Sequence, residues 1–595
     1  MSRWMIAAKR ADFQEIAKKF GIDQVTARLL RNRDIIGDEA IRAFLSGDLS
    51  LLHDGRLMLD MERGASIVAE AIREGRRIRI IGDYDVDGIC ATYILCRGLR
   101  KAGSDSADAV LPDRIRDGYG LNASLVRNAA EDGVQVLLTC DNGIRAIDEI
   151  ALARELGMTV VVTDHHEPRR DGDMEVLPDA ADAVVDPSRE GDPYPYPSIC
   201  GAVVAWKFVV VLLEMTGSCT AEEQKRFLEE LLPFAAFATN CDVMPLMDEN
   251  RIIMREGIRK IADGENIGLS ELIRACGLKE DAIRAQDFGY TLGPCLNATG
   301  RLDSAHRGLN LLECQNREEA AGIAGDLLAL NSERKTMTAE GVNKACEIIS
   351  GGGFEDDTIL VIYLPECHES VAGIIAGRIR ERYGKPSIVL TDCAEAGLIK
   401  GSGRSVPGFD LYRALSAQED LFVRFGGHEQ AAGLTLRGQD LEELRRRLNE
   451  NNSLTEGDLD PVLHIDMEMP LSYVTLDLVR QFSVLEPFGK GNPEPLFAAR
   501  DLAFYGGRIL GKNKNVGKYT VRDAAGNSYE LMMFDGLGRF HEMLTERFGA
   551  GILTKLYDGF AKEKLFTCHV AYQPQINVYQ ERERLQFRVA DVMII

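Results

Sequence analysis

Short apolar runs that end in acidic clusters constrain the fold of this chain more than any other feature. The run at residues 77–81 leads into Gly-Asp-Tyr-Asp-Val-Asp-Gly at 82–88, and a predicted helix follows at about 89–98. Three carboxylates therefore alternate along the chain where a predicted strand gives way to a helix. Ligands of open α/β sheets bind outside the carboxyl ends of the strands. The pattern predicts a cation site at the edge of a parallel sheet.

The same arrangement recurs further along the chain. Apolar segments at 134–139, 158–163 and 234–238 lead into Cys-Asp-Asn-Gly at 140–143, Asp-His-His-Glu at 164–167 and Thr-Asn-Cys-Asp-Val at 239–243. Each cluster taken alone is also typical of a turn or a helix cap. Because a parallel sheet brings the carboxyl ends of its strands to one edge, their joint placement favours a single shared site.

The residue types favour manganese or magnesium at this site. A calcium loop would require Glu six residues beyond Gly88, where the chain has Ile94. Carboxylates with one or two imidazoles suit manganese or magnesium better than zinc. Clustered carboxylates with no comparable basic partner repel one another unless divalent ions lie between them. A pair of such ions is typical of in-line displacement at a phosphodiester.

These motifs resemble a known family. Asp164-His165-His166 is the signature of the DHH phosphoesterases, and the acidic motif at 82–88, Asp141 and Asp242 are similar to its other acidic motifs. Further segments resemble the RecJ single-strand-specific exonucleases within that superfamily; they lie at 112–114, 117–122, 293–302, 401–405, 425–433 and 485–493. The resemblance extends from about Phe20 to the last residue. It implies a 5′→3′ exonuclease specific for single-stranded DNA in DNA repair and recombination.

The resemblance also implies roles for individual residues. The expected metal ligands are Asp83, Asp85, Asp87, Asp141, His165 and Asp242. The expected catalytic residues are Asp141, His165 and His166, with His166 facing the scissile phosphate. Whether Asp83 and Asp87 bind the ions directly or support other ligands stays open. A metal-bound water or hydroxide would be the nucleophile, so no nucleophilic side chain is required.

Glycine-flanked polar residues are expected to bind the nucleic acid. The substrate-binding residues that the resemblance implies are Arg114, Asn297, Arg301, Ser402, Arg404, Gly426, Gly427 and His428. In the last three, two glycines permit close approach of the backbone and the imidazole donates to a phosphate. The segment at 366–371 departs from the family, which usually has an aromatic residue before the histidine and glycine in place of Ser370.

Charge and cysteine content limit the setting in which the chain works. The formal net charge of −23 is unusual for a nucleic-acid-binding protein, so a local basic groove is expected from Arg114, Arg301, Lys400 and Arg404. Thirteen scattered cysteines without a C-x-x-C pair indicate small buried residues in a reducing cytosol. The start of the chain has no signal-peptide pattern, and the most apolar helix candidate, 201–215, is shorter than a membrane span. We expect a cytoplasmic monomer without membrane contact.

The alternation of predicted elements gives an α/β protein of several domains. We expect an N-terminal helical segment at 1–74 that packs against the catalytic domain, a DHH-type parallel-sheet catalytic domain at 75–260, a helical connector at 261–350, a second α/β lobe that binds substrate at 351–456, and an OB-like β-barrel at 457–595. Such barrels bind single strands through aromatic stacking and basic residues, for which the candidates are Tyr505, Lys512, Lys514, Lys518 and Tyr519. Residues 581–584 are expected to be a hairpin end without function.

Two alternatives to the exonuclease stay open at this point. One is a hydrolase of short oligonucleotides or cyclic dinucleotides on the same catalytic core, although a small substrate requires no barrel. The other is a noncatalytic nucleic-acid scaffold, although Asp85, Asp141, His165 and Asp242 would then have no reason to remain. The partners expected for the exonuclease are single-stranded DNA, a single-strand-binding protein and a helicase.

Overall fold

The chain folds into two compact units. The computed structural model describes residues 3–114, 118, 120–393, 395–452, 454, 459, 462–512, 514–579 and 582–595. One unit combines Met1–Gly47 with Pro461–Ile595, and the other comprises Asp48–Asp460. Asp117, Tyr119 and Glu581, which belong to motifs named above, lie outside the described residues.

The N-terminal segment belongs to the same unit as the C-terminal domain. It contains β1 (Arg3–Ile6), α1 (Phe13–Phe20), α2 (Gln24–Asn32) and α3 (Asp38–Ser46). Strand β1 pairs in parallel with Val462–Ile465, with Arg3 opposite Val462. The expected N-terminal segment 1–74 is therefore divided: residues 3–47 form one compact unit with the C-terminal domain, and the rest of the segment belongs to the other unit. The strand pairing of β1, which helical periodicity does not reveal, joins this segment to the C-terminal domain.

The catalytic domain is built on a parallel sheet. Its elements are α4 (Met61–Arg73), β2 (Ile78–Ile81), α5 (Val86–Lys101), β3 (Ala107–Val110), α6 (Ala123–Glu131), β4 (Val136–Cys140), α7 (Ile147–Glu155), β5 (Thr159–Thr163), β6 (Arg169–Asp171), β7 (Met174–Val176), β8 (Ala183–Val185), α8 (Gly201–Thr216), α9 (Ala221–Cys241) and α10 (Asp248–Ile261). The strand order is β3-β2-β4-β5-β8, and every pairing is parallel. Thr163 pairs with both Cys140 and Val185, so the segments after these strands leave from one edge.

One approach to that edge differs from the expectation. The segment 234–238 lies inside α9 and is not a strand, so Asp242 arrives at the site as the C-cap of a helix. Thr220 and Glu223 form a capping box that begins this helix. The apolar residues that face the core at the end of α9 form a continuous run, which cannot be told from a buried strand by periodicity alone.

Helices connect the catalytic domain to the second lobe. They are α11 (Ile267–Ala275), α12 (Ala285–Asp287), a π-helix (Phe288–Leu292), α13 (Gly293–Leu302), α14 (His306–Glu313) and the long α15 (Arg317–Ser350). Asn316 caps α15 by accepting hydrogen bonds from the backbone N–H groups of Glu318 and Glu319. The end of α15 enters the core of the second lobe through the buried Ala345.

The second lobe is a mixed α/β structure. It contains β9 (Leu360–Tyr363), α16 (Glu369–Tyr383), β10 (Ser387–Asp392), β11 (Leu398–Arg404), α17 (Leu411–Ser416), β12 (Phe422–His428), β13 (Ala431–Arg437) and α18 (Leu441–Glu450). The strand order is β12-β13-β11-β10-β9. Only the pairing of β9 with β10 is parallel among these described strands. One face of the sheet packs against α15 and α16, and the other packs against α17 and α18.

The C-terminal domain contains a closed barrel. Its elements are β14 (Val462–Ile465), β15 (Met467–Glu468), α19 (Leu476–Gln481), β16 (Phe497–Leu510), β17 (Val516–Arg522), β18 (Ser528–Met533), α20 (Leu537–Phe548), α21 (Gly551–Tyr557), β19 (Phe566–Tyr579) and β20 (Arg582–Ile594). The sheet order β15-β16-β17-β18-β20-β19 is closed by pairing of β16 with β19, which confirms the predicted barrel. Tyr519 is buried against Phe504 and Phe540, so it cannot stack on a base as expected. No helix in the described part of the chain has the length and apolarity to cross a membrane.

Candidate metal centre and nucleic-acid interface

Acidic and imidazole side chains converge at the carboxyl edge of the catalytic sheet. Loops after β2, β4 and β5 and the end of α9 deliver them. Ligand atoms within 4.8 Å of one another form three overlapping groups among the described residues; these are Asp83, Asp85 and Asp141, then Asp87, His165 and Asp242, then Asp141, Asp164, His165 and His166. The structure thus brings together all the expected metal ligands.

The two carboxylates directly after β2 are held by backbone N–H groups. Asp85 caps α5, and its Oδ1 accepts from the N–H groups of Asp87 at 2.9 Å and Gly88 at 3.1 Å. Asp83 Oδ1 accepts from Gly120 N–H at 3.2 Å, while its Oδ2 is buried without a hydrogen-bond partner in the described structure. Burial and the neighbouring charge of Asp85 raise the pKa of Asp83 well above its usual value. A cation would satisfy this oxygen and remove the repulsion.

Asp87 is held at the N-terminus of α8. Its Oδ2 accepts from Gly201 N–H and its Oδ1 from Ala202 N–H, both at 2.7 Å. The positive end of the helix dipole stabilises a carboxylate at this position. Asp87 therefore couples the loop after β2 to α8, and both of its oxygens are already engaged by backbone donors.

Asp141 lies at the centre of the cluster. Its backbone adopts φ 59°, in the left-handed region, and its N–H donates to Thr163 O at 3.1 Å. Burial, followed by the charges of Asp87 and Asp85, raises the pKa of Asp141 well above its usual value. Such strain and repulsion at one residue are typical of a functional site whose cation is required to neutralise it.

His165 offers a neutral ring nitrogen to the same cluster. Its Nε2 lies 3.2 Å from Asp141 Oδ1, 3.6 Å from Asp87 Oδ2 and 3.8 Å from Asp242 Oδ2. This Nε2 atom makes no hydrogen bond within the described residues. Burial and the nearby His166 lower the pKa of His165, which keeps the imidazole neutral. A buried neutral imidazole nitrogen facing carboxylates fits a metal ligand.

His166, unlike His165, carries a proton on both ring nitrogens at neutral pH. Its Nδ1 lies 2.8 Å from Asp164 Oδ1. Burial favours the neutral ring, but the charge of Asp164 and this hydrogen bond outweigh burial and raise the pKa of His166 to about 9. The half-buried ring is thus cationic at neutral pH and available to an anionic substrate.

Two further aspartates, which were not among the expected metal ligands or catalytic residues, support the histidines. Asp164 accepts from the N–H groups of His165 at 2.8 Å and Ile144 at 3.0 Å, and so fixes the loop after β5. Asp186 is fully buried after β8, where its Oδ1 accepts from Ser188 N–H at 2.8 Å. Ser188 Oγ in turn donates to His165 O at 2.8 Å. The rule that acidic residues follow strands would have found Asp186, because it comes directly after the apolar run 183–185.

Arginines from both lobes meet beside the metal cluster. The Arg114 guanidinium lies 5.0 Å from the centre of the Tyr84 ring, and Arg301 Nη1 donates to Ser370 O at 2.7 Å. Burial, followed by the charge of Arg114, lowers the pKa of Arg301 to about 9. Burial and Arg114 also lower the pKa of Arg404. Mutually repelling, partly buried guanidinium groups favour a phosphate as their counterion.

The other expected substrate residues lie around these arginines. Asn297 Oδ1 accepts from Val86 N–H at 3.2 Å, which fixes α13 to the loop after β2. Ser402 lies on β11 two residues from Arg404. Lys400 instead pairs with Glu369 at 3.0 Å, so its charge is already compensated. The departing segment contacts Arg301 through the Ser370 backbone carbonyl, for which serine serves as well as glycine.

The Gly-Gly-His sequence ends strand β12. Gly427 has φ 153°, and a Cβ there would lie 2.3 Å from Ala431 O, so this position requires glycine. A Cβ at Gly426 would meet nothing within 4 Å, which leaves its backbone open to a ligand. Burial and the charges of Arg404 and Arg145 lower the pKa of His428. Because Arg145 belongs to the catalytic domain, His428 lies at the boundary of the two lobes.

A basic groove of about 710 Å³ adjoins this cluster between α13, α15 and α16. Its polar and aromatic lining includes Tyr290, Asn297, Arg301, Arg334, Lys335 and Arg378. Tyr290 is 84% exposed and belongs to the π-helix, an element that is frequent at functional sites. Cations beside an exposed aromatic ring are features of single-strand binding surfaces.

The fold and the site together define a metal-dependent DHH phosphoesterase. Residues 77–239 match the DHH family N-terminal domain, residues 356–453 match the DHHA1 domain, and residues 465–591 match the RecJ OB domain. The single-stranded-DNA-specific exonuclease RecJ of Haemophilus influenzae is 31% identical over 576 residues, which cover 94% of this chain and 95% of the relative. The Bacillus subtilis RecJ is 34% identical over 88% of this chain, and the match covers 64% of that relative.

Solved structures agree with this assignment. A RecJ crystal structure with Mn²⁺ from Thermus thermophilus matches all of this chain and 79% of that chain, with a TM-score of 0.80 and 26% identity. A manganese-bound exonuclease RecJ matches 68% of this chain and 95% of that chain, with a TM-score of 0.57 and 32% identity. The chain belongs to the RecJ family. The resemblance inferred from its motifs and the predicted fold class are confirmed.

Proposed function

We propose that this protein is a single-stranded-DNA-specific 5′→3′ exonuclease that hydrolyses phosphodiester bonds with two divalent cations, Mn²⁺ or Mg²⁺, in DNA repair and recombination. The observation that carries the proposal is the set of overlapping ligand groups that share Asp141 and His165 at the sheet edge. The relatives named above are single-stranded-DNA-specific exonucleases, and this gives the substrate and the reaction.

The donor set fits two hard cations. Asp83, Asp85 and Asp141 would hold one cation. His165 would hold the other together with Asp141 and Asp242, whose carboxylate oxygens lie 3.2 Å and 3.8 Å from His165 Nε2. Asp87 would support this set, because backbone N–H groups already occupy both of its oxygens. The unpartnered Asp83 Oδ2 and His165 Nε2 are the buried atoms that the cations would satisfy. When bound, such cations polarise the scissile phosphate and lower the pKa of water to generate the nucleophile.

His166 would act on the phosphate itself. Its imidazolium, oriented by Asp164, lies next to the ligand set and is half exposed. A cation at this position stabilises the negative charge that develops on the phosphoryl oxygens. Because it carries a proton, it also provides one for the departing oxygen.

The substrate strand would bind between the two lobes. Arg114, Arg301 and Arg404 would contact backbone phosphates, with Ser402, Asn297 and the Gly426-Gly427-His428 turn completing this surface. The groove beside α13 would hold further nucleotides, with Tyr290 as a stacking surface. Selectivity for single strands would then follow from a narrow entry, because exclusion by width requires no contact with base edges.

The barrel would contribute additional affinity for single-stranded DNA. Tyr505 stacks on the exposed Phe560 at 5.5 Å, and the Arg522 guanidinium lies 4.8 Å from the centre of the Tyr505 ring. Aromatic and guanidinium groups in this arrangement suit base stacking. A barrel with this surface favours a long strand over a cyclic dinucleotide as the substrate.

Other aspects of the proposal concern the cellular setting and the domains. An enzyme that accepts only single strands requires an unwound substrate, so a helicase and a single-strand-binding protein are the partners we propose. We propose that it works as a monomer in the cytoplasm. The domain boundaries at 75–260, 261–350, 351–456 and 457–595 are supported by the family matches at 77–239, 356–453 and 465–591.

The test is digestion of end-labelled DNA with manganese. The substrates are single-stranded DNA labelled at the 5′ or 3′ end, a duplex, and a cyclic dinucleotide. Asp141→Ala is the inactive variant, and Asp148→Ala, which changes an exposed carboxylate on α7, is the matched control. We expect mononucleotides to leave the 5′ end of the single strand with the native protein and the control only. Cleavage of only the cyclic dinucleotide, or binding without cleavage, would contradict the proposal.

A further inference from the structure

Two cysteine thiols lie in contact among the connector helices. Cys276 caps the C-terminus of α11, and Cys295 lies in the first turn of α13. Their Sγ atoms are 3.8 Å apart, Cys276 is partly exposed, and Cys295 is fully buried. A disulfide requires about 2.05 Å between the sulfurs. Side-chain rotation with a small movement of α13 would therefore close the bond.

The charged groups near Cys295 are basic, whereas those near the buried Cys140 and Cys200 are acidic. Asn331 Nδ2 donates to Cys295 Sγ at 3.3 Å, and Arg334 donates to Asn331 Oδ1 from Nε at 3.1 Å and Nη2 at 2.9 Å. By contrast, burial raises the pKa of Cys140 and Cys200. Reactive thiols are found in electropositive, partly exposed surroundings such as those of Cys276 and Cys295.

The local charges also favour ionisation of the pair. The hydrogen bond from Cys276 is the largest cause that lowers the pKa of Cys295 to about 7, and Asn331, Lys335 and Arg334 add to it against the effect of burial. Two coupled groups lose their first proton as a pair. The same hydrogen bond raises the pKa of Cys276, so near neutral pH the pair holds one proton, which stays on Cys276 while Cys295 carries the negative charge.

We propose that Cys276 and Cys295 are a redox-active dithiol that hydroperoxides convert reversibly into a disulfide, and that this disulfide lowers the activity of the enzyme. The Cys276 sulfur attacks the peroxide O–O bond while the Cys295 thiolate takes the Cys276 proton, and the O–O bond breaks to give a sulfenic acid and hydroxide. Cys295 loses this proton to the hydroxide, its thiolate attacks the Cys276 sulfur, the S–S bond forms, the S–O bond breaks and hydroxide leaves. Overall, two thiols lose two electrons and two protons, and hydrogen peroxide is reduced to two waters.

The effect on activity follows from the other contacts of α13. This helix positions Asn297 against Val86 N–H and Arg301 against Ser370 O. Closing the disulfide draws Cys295 away from Asn331 and towards α11. Gly300 of α13 packs directly against the loop that carries Asp83 and Asp85, since a Cβ there would lie 2.5 Å from Tyr84 O. We therefore expect a movement of α13 to displace this loop. This part of the inference rests on the proposed exonuclease function.

The test is oxidation of the reduced full-length protein with hydrogen peroxide. Free thiols are blocked with N-ethylmaleimide, and peptides are analysed by mass spectrometry because the chain has thirteen cysteines. The variants are Cys276→Ser, Cys295→Ser and Cys276→Ala. Cys219→Ser, which changes a partly exposed cysteine before α9, is the matched control. Circular dichroism and digestion of single-stranded DNA are measured on each protein before and after oxidation.

We expect a Cys276–Cys295 linked peptide in the oxidised native protein and the Cys219→Ser control, with a several-fold loss of activity that dithiothreitol reverses. In Cys276→Ser and Cys276→Ala the linked peptide should be absent, and the mild oxidation should leave their activity unchanged. Absence of the linked peptide from the native protein would overturn the dithiol, whatever the activity. A linked peptide without loss of activity would overturn its regulatory effect. Inactivity of every reduced form would instead refute the proposed function, while the peptide would still report on the dithiol.

Discussion

The substitution Gly201→Ala tests how closely α8 packs against the centre of the metal cluster. A Cβ at this position would lie 2.7 Å from Asp141 Cβ and 2.9 Å from Asp141 Oδ1, whereas ordinary contact begins at 3.4 Å. Asp141 or the start of α8 must therefore move by about 0.7 Å. A shift of Asp141 moves it away from Asp87 directly. A shift of α8 has the same effect, because Gly201 N–H donates to the Asp87 carboxylate.

The cost of this movement is expected in catalysis more than in folding. Overpacking of a buried site destabilises a protein by about 1–3 kcal/mol, which a free energy of unfolding of about 5–15 kcal/mol tolerates. A misplacement approaching 1 Å in a catalytic cluster lowers kcat by about 10²-fold. We therefore expect a folded variant with strongly reduced kcat and a higher Mn²⁺ concentration for half-maximal activity.

The assay compares kcat, the Mn²⁺ dependence and urea unfolding with those of Gly322→Ala. A Cβ at Gly322, on the exposed side of α15, meets nothing within 4 Å. This control is expected to keep full activity and gain up to about 1 kcal/mol of stability, because alanine is the better helix former. Native kcat and Mn²⁺ dependence in Gly201→Ala would refute the packing argument.

Three further predictions concern binding and stability. Arg301→Gln should weaken single-stranded DNA binding and reduce the slope of log Kd against log salt by about 1, which fluorescence anisotropy measures; an unchanged slope would exclude a phosphate contact. Tyr505→Ala should weaken binding of long strands by about 1–3 kcal/mol while the buried Tyr519→Phe should not, and equal effects in the two variants would refute stacking on the barrel. Burial opposes ionisation of Asp108, but hydrogen bonds from Arg79 and Arg77 outweigh it and lower the pKa of Asp108 below 3.8. Because the pKa of Asp108 is lower in the folded than in the unfolded chain, its ionised carboxylate stabilises the fold above pH 3.8. This stabilisation is lost as the pH falls through the folded-state pKa. Asp108→Asn should thus cost less than about 1 kcal/mol at pH 7, since the pair is partly exposed, and the difference should shrink in acid unfolding measurements.

The sequence predicted the parallel sheet and the site at its edge because their signals are local. Each strand of the catalytic sheet is a short apolar run, and the acidic residues follow it directly along the chain. Asp242 was expected to follow a strand and instead follows helix α9. It nevertheless lies beside Asp87 and His165, as its motif predicted. Gly427 was expected to let the backbone approach the nucleic acid, and this role stays a prediction; its φ of 153° gives a structural reason for the glycine.

Long-range pairing explains what the sequence could not reveal. The pairing of β1 with Val462–Ile465 brings together residues more than four hundred positions apart, and no local sequence pattern indicates this pairing. The burial of Tyr519 depends on aromatic neighbours from α20, which an alternating strand pattern does not identify. The backbone donors that hold Asp87 come from α8, so its supporting role was visible only in the folded chain. The contact between Cys276 and Cys295 similarly depends on how α11 and α13 pack.

One carboxylate, that of Asp141, is expected to join two cation sites at the sheet edge. The most direct measurement is manganese anomalous diffraction from crystals of the native protein and of Asp141→Asn grown with Mn²⁺. We expect two anomalous peaks in the native protein, one beside Asp83 and Asp85 and one beside His165 and Asp242, and the loss or weakening of both in the variant. A single peak, or two peaks that the substitution leaves unchanged, would contradict a pair of cation sites that share Asp141.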